Sequence, residues 1–413
     1  MKSLISPFKF IVLSLIFSVG CSGNSSDKEE APGDEDLQSL AKELAIKFII
    51  ADTHVDIPYR LRAEMEDISI RTKKGDFDYV RAREGGLDAP FMSIYVSSEH
   101  EKQGGGKILA DSLIDMVEGI VRDNPDKFAL AYSAIEVEQN FKNGLISLPM
   151  GMENGTPVEG NLDNLLHFKQ RGIRYITLTH ALDNHICDSS YDTTSTWNGL
   201  SPFGREVVIE MNKLGIMIDV SHISDNSFYQ VMELSKAPVI ASHSSCRAFT
   251  PGWERNMADD MIKLLGKNGG VIQINFGSSF LDSVYVKKRD EREYHINSWL
   301  EENNIHREDS SAQSYIEKYE KDNQYFANVS HVVDHIDHVV KLAGIDHVGF
   351  GSDFDGVGDS LPYGLKDVSY YPNLIYHLLK RGYSEKEIEK ICYKNLFRVW
   401  IEVDKVAEEL SNT

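Results

Sequence analysis

Residues 48–58 read Phe-Ile-Ile-Ala-Asp-Thr-His-Val-Asp-Ile-Pro, an apolar run that ends in an imidazole and a carboxylate two positions apart. Phe48 to Thr53 has the length and β-branched content of a buried strand. Residues two apart on a strand share a face, so His54 and Asp56 point the same way and one metal ion could take both.

The rest of the chain repeats the pattern. Apolar runs recur between helical stretches at Pro90 to Val96, Leu145 to Met152, Ile173 to Thr179, Ile216 to Ser221, Pro238 to Ser242, Gly270 to Phe276 and His347 to Ser352, making eight with the first. Continuous apolar runs separated by helices mark a parallel sheet covered on both faces. They imply an α/β fold, expected as a (β/α)8 barrel in a single domain, although a doubly wound open sheet fits the periodicity nearly as well. The charged stretch from Asp282 to Asn328 reads as a helical, solvated insertion near the barrel mouth, before the last strand. Ile388, Ile391, Leu396, Val399 and Val403 fall at roughly helical spacing and should close the domain, which is expected over residues 45–410.

Lys and Arg number 43 against 64 Asp and Glu, a net charge of −21 that would repel a phosphate backbone and excludes nucleic acid as a partner. Lys2 and Lys9 flank the start of an apolar run, Phe10 to Val19, that ends in Gly20-Cys21. This is the form of an export signal over residues 1–20, too short for an ordinary transmembrane helix. The Gly-Cys step resembles a bacterial lipobox, with Ser18 where Leu is usual. It implies a lipid anchor on Cys21 and an exported, membrane-anchored protein facing the periplasm or the cell surface. Residues 21–44, rich at first in Ser, Gly, Asp and Glu, are expected to form a flexible acidic tether. Beyond Cys21 there remain Cys187, Cys246 and Cys392, an odd number without Cys-x-x-Cys spacing. No disulfide framework is implied, and any zinc must be held by His and carboxylates.

The residues just past the ends of these runs carry the chemistry. His54 and Asp56 come after the first, Glu153 after the third, His180 after the fourth, His222 after the fifth, His243 after the sixth and Asp353 after the eighth. In a parallel barrel these positions converge on the C-terminal face, where active sites of this fold lie. A single His near a strand end is usually a satisfied core residue, but so many ionisable groups buried without a metal would carry an uncompensated desolvation cost. Imidazole and carboxylate suit Zn²⁺. Three His, one Asp and one Glu are too few for two closed tetrahedral sites unless a carboxylate bridges, and Glu153 is the natural bridge. The open positions would take a water or hydroxide shared between the metals, the nucleophile of a hydrolase.

These fragments together resemble the membrane (renal) dipeptidases, dinuclear zinc peptidases among the metal-dependent hydrolases of (β/α)8 fold. The resemblance runs from about residue 45 to 405. It rests on His-x-Asp-x-Pro at His54, Asp56 and Pro58, Gly-x-Glu-x-Gly around Glu153, and Leu-Thr-His at Leu178 to His180. It continues through Asp-Val-Ser-His at 219–222, Ser-His-Ser-Ser at 242–245, Arg255-Asn256, and Gly-Ser-Asp-Phe-Asp-Gly at 351–356. It implies that His54, Asp56 and bridging Glu153 hold one of two Zn²⁺, that Glu153, His222 and His243 hold the other, and that a metal-bridging hydroxide attacks the peptide. Asp353 would take the proton of that water and pass it to the leaving amine, His180 would stabilise the oxyanion, and Arg255 would grip the free α-carboxylate of the dipeptide bidentately. L,L and L,D dipeptides are the implied substrates, and a homodimer the implied assembly. Two features depart from the family: the insertion is longer and more charged than in vertebrate members, and the pattern near Cys187 does not match their disulfide.

Other signals read as structural. His331, His335 and His338 would share a helix face, but Val332, Val333, Ile336, Val339 and Val340 make that helix a packing element without a His-Glu-x-x-His base. Gly104-Gly105-Gly106-Lys107 lacks the spacing of a phosphate loop. Cys246 reads as a passive small residue, and Asp355 as a residue that orients the loop around Asp353. Two competing functions keep the same fold. One is an N-acyl amino acid deacylase, since Arg255 argues only for a free carboxylate. The other is a non-catalytic peptide-binding lipoprotein, against which stands the presence of every ligand position and of Asp353.

Overall fold

The computed structural model describes residues 33–412; the expected export signal, Cys21 and the start of the expected tether lie outside them. Each expected run supplies one strand of a closed parallel barrel: β1 (Ile50–Val55), β2 (Leu87–Tyr95), β3 (Met150–Glu153), β4 (Ile173–Thr177), β5 (Met217–Asp219), β6 (Ile240–Ser244), β7 (Val271–Ile274) and β8 (Val348–Phe350). The hydrogen-bonded order is β1-β8-β7-β6-β5-β4-β3-β2, so the open-sheet alternative is set aside and the fold is a single-domain (β/α)8 barrel.

The run from Leu145 to Met152 divides at Pro149. Ile146–Leu148 pairs with Phe128–Leu130 in a small sheet beside the barrel, and only Met150–Glu153 joins β2 and β4. Proline has no N–H to give a ladder, so it stands where the strand changes sheets. Strand register then places functional positions side by side on the rim: Tyr95 pairs with Glu153, Glu153 with Thr177, and Thr177 with Asp219.

The opposite end is closed by the helix Asn395–Ser411. Its Leu396, Val399, Trp400 and Val403 pack with strand-start residues Ile49, Ala89, Met217, Ile240 and Val271, and Trp400 meets Phe91 at 5.4 Å between ring centroids. The chemistry is therefore confined to one mouth. The boundary expected at residue 45 moves toward the N-terminus. A helix spans Asp34–Lys47, with Ala41, Leu44 and Ala45 buried against the helix Tyr371–Lys380. Its apolar positions outweigh the acidic composition that reads as a tether, and Asp34, Glu35 and Asp36 in the first turn favour the helix dipole.

The insertion is helical, as expected. Ser283–Asn303 and Ser310–Asp322 form a hairpin with a seam of its own, Ile296, Leu300, Ala312 and Ile316, and Trp299 stacks on Tyr315 at 3.8 Å. Four apolar residues spaced along two helices suffice for this seam without any continuous apolar run.

Candidate active site

His54 lies within β1, His243 within β6, and Glu153 ends β3, while Asp56, His180, His222 and Asp353 stand on the turns beyond their strands. All seven converge. His54, Glu153 and His243 bring ligand atoms within 4.8 Å of one another, as do Glu153, His180 and His222, and His54, Asp56 and Asp353. The turns are strained where the chemistry sits: φ is 81° at Asn154, 70° at His222, 64° at Asp353 and 66° at Asp355. Left-handed backbone at non-glycine residues persists only where surrounding contacts enforce it.

Two glycines of the motifs have physical reasons. A Cβ at Gly151 would collide with the Tyr175 ring, which crosses β3 to reach His54, and a Cβ at Gly356 would collide with the carboxylates of Asp56 and Asp353. Glycine is the residue that leaves this room.

Tyr175 donates its hydroxyl hydrogen to the Thr53 carbonyl at 2.9 Å, so its oxygen accepts from His54 Nδ1–H at 2.9 Å. His54 Nε2 is left facing Asp56 Oδ2 at 3.5 Å and Glu153 Oε2 at 3.4 Å, and it is buried without a hydrogen-bond partner among the described residues. The other oxygen of the same carboxylate, Glu153 Oε1, lies 3.1 Å from His222 Nε2 and 3.3 Å from His243 Nε2. His180 Nε2 is 3.5 Å from Oε1. Burial holds His222 and His243 far below the usual imidazole range, hence neutral. Burial opposes charge on His54 too, yet Tyr175, Glu153 and Asp56 outweigh it and raise its pKa well above the usual value. Burial would raise Glu153, but His54 and His180 first, with the His222 and His243 rings beside it, hold it well below the carboxylate range. The cluster demands positive charge between its carboxylates. Neutral imidazole nitrogens and carboxylate oxygens aimed at one another are a donor set for divalent cations, so the residues fit a metal-dependent site.

Asp353 is half-buried at the edge of the cavity and accepts from Asn275 Nδ2 at 2.7 Å; loss of hydration first, then Asp56, push it up to about 7. Asp355 holds the neighbouring loop: Oδ1 accepts from Asp76 N–H at 2.6 Å and Oδ2 lies 3.1 Å from Arg60 Nε. Arg255 is 2% exposed. Its Nη1 donates to Ser244 Oγ at 2.7 Å and Nη2 to the His243 carbonyl at 2.9 Å, and the guanidinium lies 5.0 Å from the Phe280 ring centre.

A cavity of about 480 Å³ opens above the cluster, lined by Asp56, Tyr59, Tyr95, Glu153, His180, Tyr191, His222, Phe280 and Asp353 among others. A second cleft of about 910 Å³ shares Tyr191 and Ser279 with it and is walled by Trp253 and the insertion residues Lys287, Arg289, Asp290 and Glu291. Tyr95, Tyr191, Phe280, Ser93 and Asn275 do not stand out in the sequence. Ser93 donates to Glu153 Oε2 at 3.3 Å, and the Tyr95 ring meets His180 edge-on at 4.9 Å. For Asn275 and Ser93 a signal exists: each is a polar residue set in an apolar strand run.

Cys246 behaves as expected, whereas Gly106 and Lys107 open the helix Gly106–Asp123 and do not extend a loop. Cys246 is buried and its thiol is pushed above the usual range by burial, so it is not a ready thiolate. Cys187, Cys246 and Cys392 are all free.

The family model for the membrane dipeptidases, peptidase family M19, matches residues 38–413. An uncharacterised dipeptidase of Schizosaccharomyces pombe is 33% identical over 396 residues, covering 91% of this chain and 85% of the relative. Human dipeptidase 3 is 31% identical over 388 residues, 91% of this chain and 69% of the relative. Among solved structures, the probable dipeptidase PvdM of Pseudomonas aeruginosa superposes with a TM-score of 0.76 at 26% identity, covering 90% of this chain and 100% of that one. A metallopeptidase of Rhodobacter sphaeroides, bound to a phosphinate mimic of L-Ala-D-Ala, gives 0.70 at 25% identity over 86% of this chain and 99% of that one. A barrel whose rim gathers carboxylates and imidazoles around a small cavity thus finds its place: the chain belongs to the membrane dipeptidase family and is a metallopeptidase that hydrolyses dipeptides.

Proposed function

We propose that the dipeptidase works with two zinc ions. His54, Asp56 and Glu153 would hold one, and Glu153, His222 and His243 the other. The observation that carries this reading is the Glu153 carboxylate, which turns Oε2 to His54 at 3.4 Å and Oε1 to His222 and His243 at 3.1 and 3.3 Å. When bound, such cations polarise a carbonyl and make a water acidic enough to attack near neutral pH.

The chain's own residues do the rest. Asp353 receives the proton of the attacking water at a carboxylate that Asn275 holds in place, and delivers it to the departing amine. Nearby cations would draw its pKa down from about 7, so that it starts ionised. His180, facing the cavity beside Tyr95, stabilises the oxyanion that forms on the scissile carbonyl. Arg255 binds the α-carboxylate, which must reach it past Tyr191 and Phe280. A clamp one residue beyond the scissile bond favours dipeptides over longer chains. The relative bound to an L-Ala-D-Ala mimic supports a pocket that takes L,D as well as L,L dipeptides. The insertion helix, walling the second cleft, shapes access for the substrate side chains.

The N-terminal signal supports export and a lipid anchor on Cys21. Among the described residues no helix is long and apolar enough to cross a membrane. Light scattering tests the homodimer that the resemblance implies, and labelling with a fatty-acid analogue tests the anchor.

The central experiment is metal analysis with a dipeptide panel: two zinc ions per chain and release of both amino acids are expected. One ion, or none, in fully active protein overturns the two-zinc reading. Replacing Arg255 by Met should weaken kcat/KM by about 1.5–3 kcal/mol on free dipeptides, the worth of a charged hydrogen bond, and much less on their amides. Equal loss on both contradicts the clamp.

A further inference from the structure

Asp219 ends β5 and is fully buried, beside the metal cluster but not part of it. Its Oδ1 accepts the backbone N–H of Ser221 at 3.0 Å and of Ser242 at 2.8 Å. Its Oδ2 accepts the hydroxyls of Thr177 at 2.5 Å and of Ser242 at 2.6 Å. Ser242 Oγ also lies 2.7 Å from His243 Nδ1. A serine hydroxyl has one hydrogen to give. Because Asp219 takes it, Ser242 Oγ can only accept from His243, and the ring proton must sit on Nδ1. The lone pair then falls on Nε2, the atom that faces Glu153 Oε1 at 3.3 Å and His222 Nε2 at 2.8 Å.

We propose that Asp219 is a positioning residue for the metal centre: acting through the Ser242 hydroxyl, it fixes the tautomer of His243 that presents Nε2 as a ligand. The proposal rests on the reading of His243 as a metal ligand. His54 obtains the same tautomer by a different route, through Tyr175 and the Thr53 carbonyl. His222 Nδ1 has no hydrogen-bond partner among the described residues, so its tautomer is not fixed in this way.

The substitution Asp219→Asn separates positioning from mere packing, because it keeps the shape of the side chain. The N–H groups of Ser221 and Ser242 belong to the backbone and cannot turn round, so the amide oxygen must take the place of Oδ1. The amide NH₂ then faces Thr177 and Ser242 and donates to both hydroxyls. Ser242 must send its hydrogen to His243 Nδ1, and the ring proton moves to Nε2, where it blocks the metal.

Two measurements on the full chain test this. Two-bond ¹⁵N–¹H correlations of the metal-free protein, labelled at histidine, should place the His243 proton on Nδ1 in the wild type and on Nε2 in Asp219→Asn. Zinc titration against a competing chelator should show one of two sites weakened by about 10- to 100-fold, the usual effect of losing a partner behind a ligand, with the second little changed. A folded Asp219→Asn protein that keeps the Nδ1 proton, or that binds both zinc ions as the wild type does, overturns the proposal. If Asp219→Asn fails to fold, Ser242→Ala carries the test: it should weaken the same site, Ser242→Thr should restore it, and wild-type affinity in Ser242→Ala overturns the proposal. A wild type that binds no zinc refutes the two-zinc reading instead, and the histidine spectra still report on the relay.

Discussion

Two regions of this molecule are rich in histidine, and they are built on opposite principles. On the helix Val329–Ala343, His331, His335 and His338 are each satisfied alone. His331 Nδ1 accepts from the Asn328 N–H at 3.0 Å, and His338 Nε2 pairs with Asp259 at 2.7 Å. His335 accepts the Cys246 N–H at 3.0 Å and donates to the Leu281 carbonyl at 3.1 Å, tying the helix to the loop after β6. At the barrel mouth, His54, His222 and His243 instead aim nitrogen atoms at one carboxylate. Spacing in the sequence does not separate the two groups. What separates them is whether the nitrogens converge on shared acceptors or find private partners.

That contrast can be broken by mutation. The largest effect is expected for Glu153→Gln, which removes the shared acceptor: zinc content by elemental analysis should fall below one per chain and dipeptide hydrolysis to background. Full occupancy would remove Glu153 as the shared ligand. Asp353→Asn should keep both metals and lower kcat by about 10²- to 10⁴-fold, the range of a lost general base. An unchanged kcat would remove Asp353 from proton transfer.

Mutations on the helix should touch stability alone. His335→Leu orphans the Cys246 N–H and the Leu281 carbonyl, at roughly 1–3 kcal/mol each by urea unfolding, with metal content unchanged. The same residue gives a pH signature. Burial pushes His335 down to about 4, below its usual 6.5. As pH falls from 6.5, the unfolded chain takes the proton first, so stability is lost progressively until about pH 4. The loss reaches roughly 3 kcal/mol, and His335→Leu should be free of it. Equal acid sensitivity in both proteins would refute this role. Smallest is His338→Ala, whose partly exposed pair with Asp259 should be worth under about 1 kcal/mol in the same assay.

Much of the site is legible in the sequence because its residues sit at fixed offsets from strand ends. A parallel barrel dictates that all strand ends meet, and this brings Asp56 beside His54 although Asp56 stands on the turn beyond β1 and not on the strand itself. The starting point of the fold is not legible, since the acidic composition of residues 21–44 hides the few apolar positions, Ala41 and Leu44 among them, that dock the first helix. Pro149 divides a run that reads as one strand. Asn275, Ser93 and Tyr175 pass unnoticed, because a polar side chain in an apolar run declares itself only when its partner is known, and Asp353, Glu153 and His54 lie far from them in the chain.

By itself, the sequence determined the alternation of strands and helices and the identity of the groups at the strand ends, while closure of the sheet into a barrel was decided by the tertiary structure. Apolar periodicity and residue chemistry are local properties, readable within a few positions. The tertiary structure alone decided how those groups are presented: which oxygen of Glu153 faces which imidazole, which nitrogen of His243 carries the proton, and that Tyr175 can cross over Gly151 to hold His54. Those facts depend on the stagger between neighbouring strands, which brings residues distant in sequence to hydrogen-bonding distance.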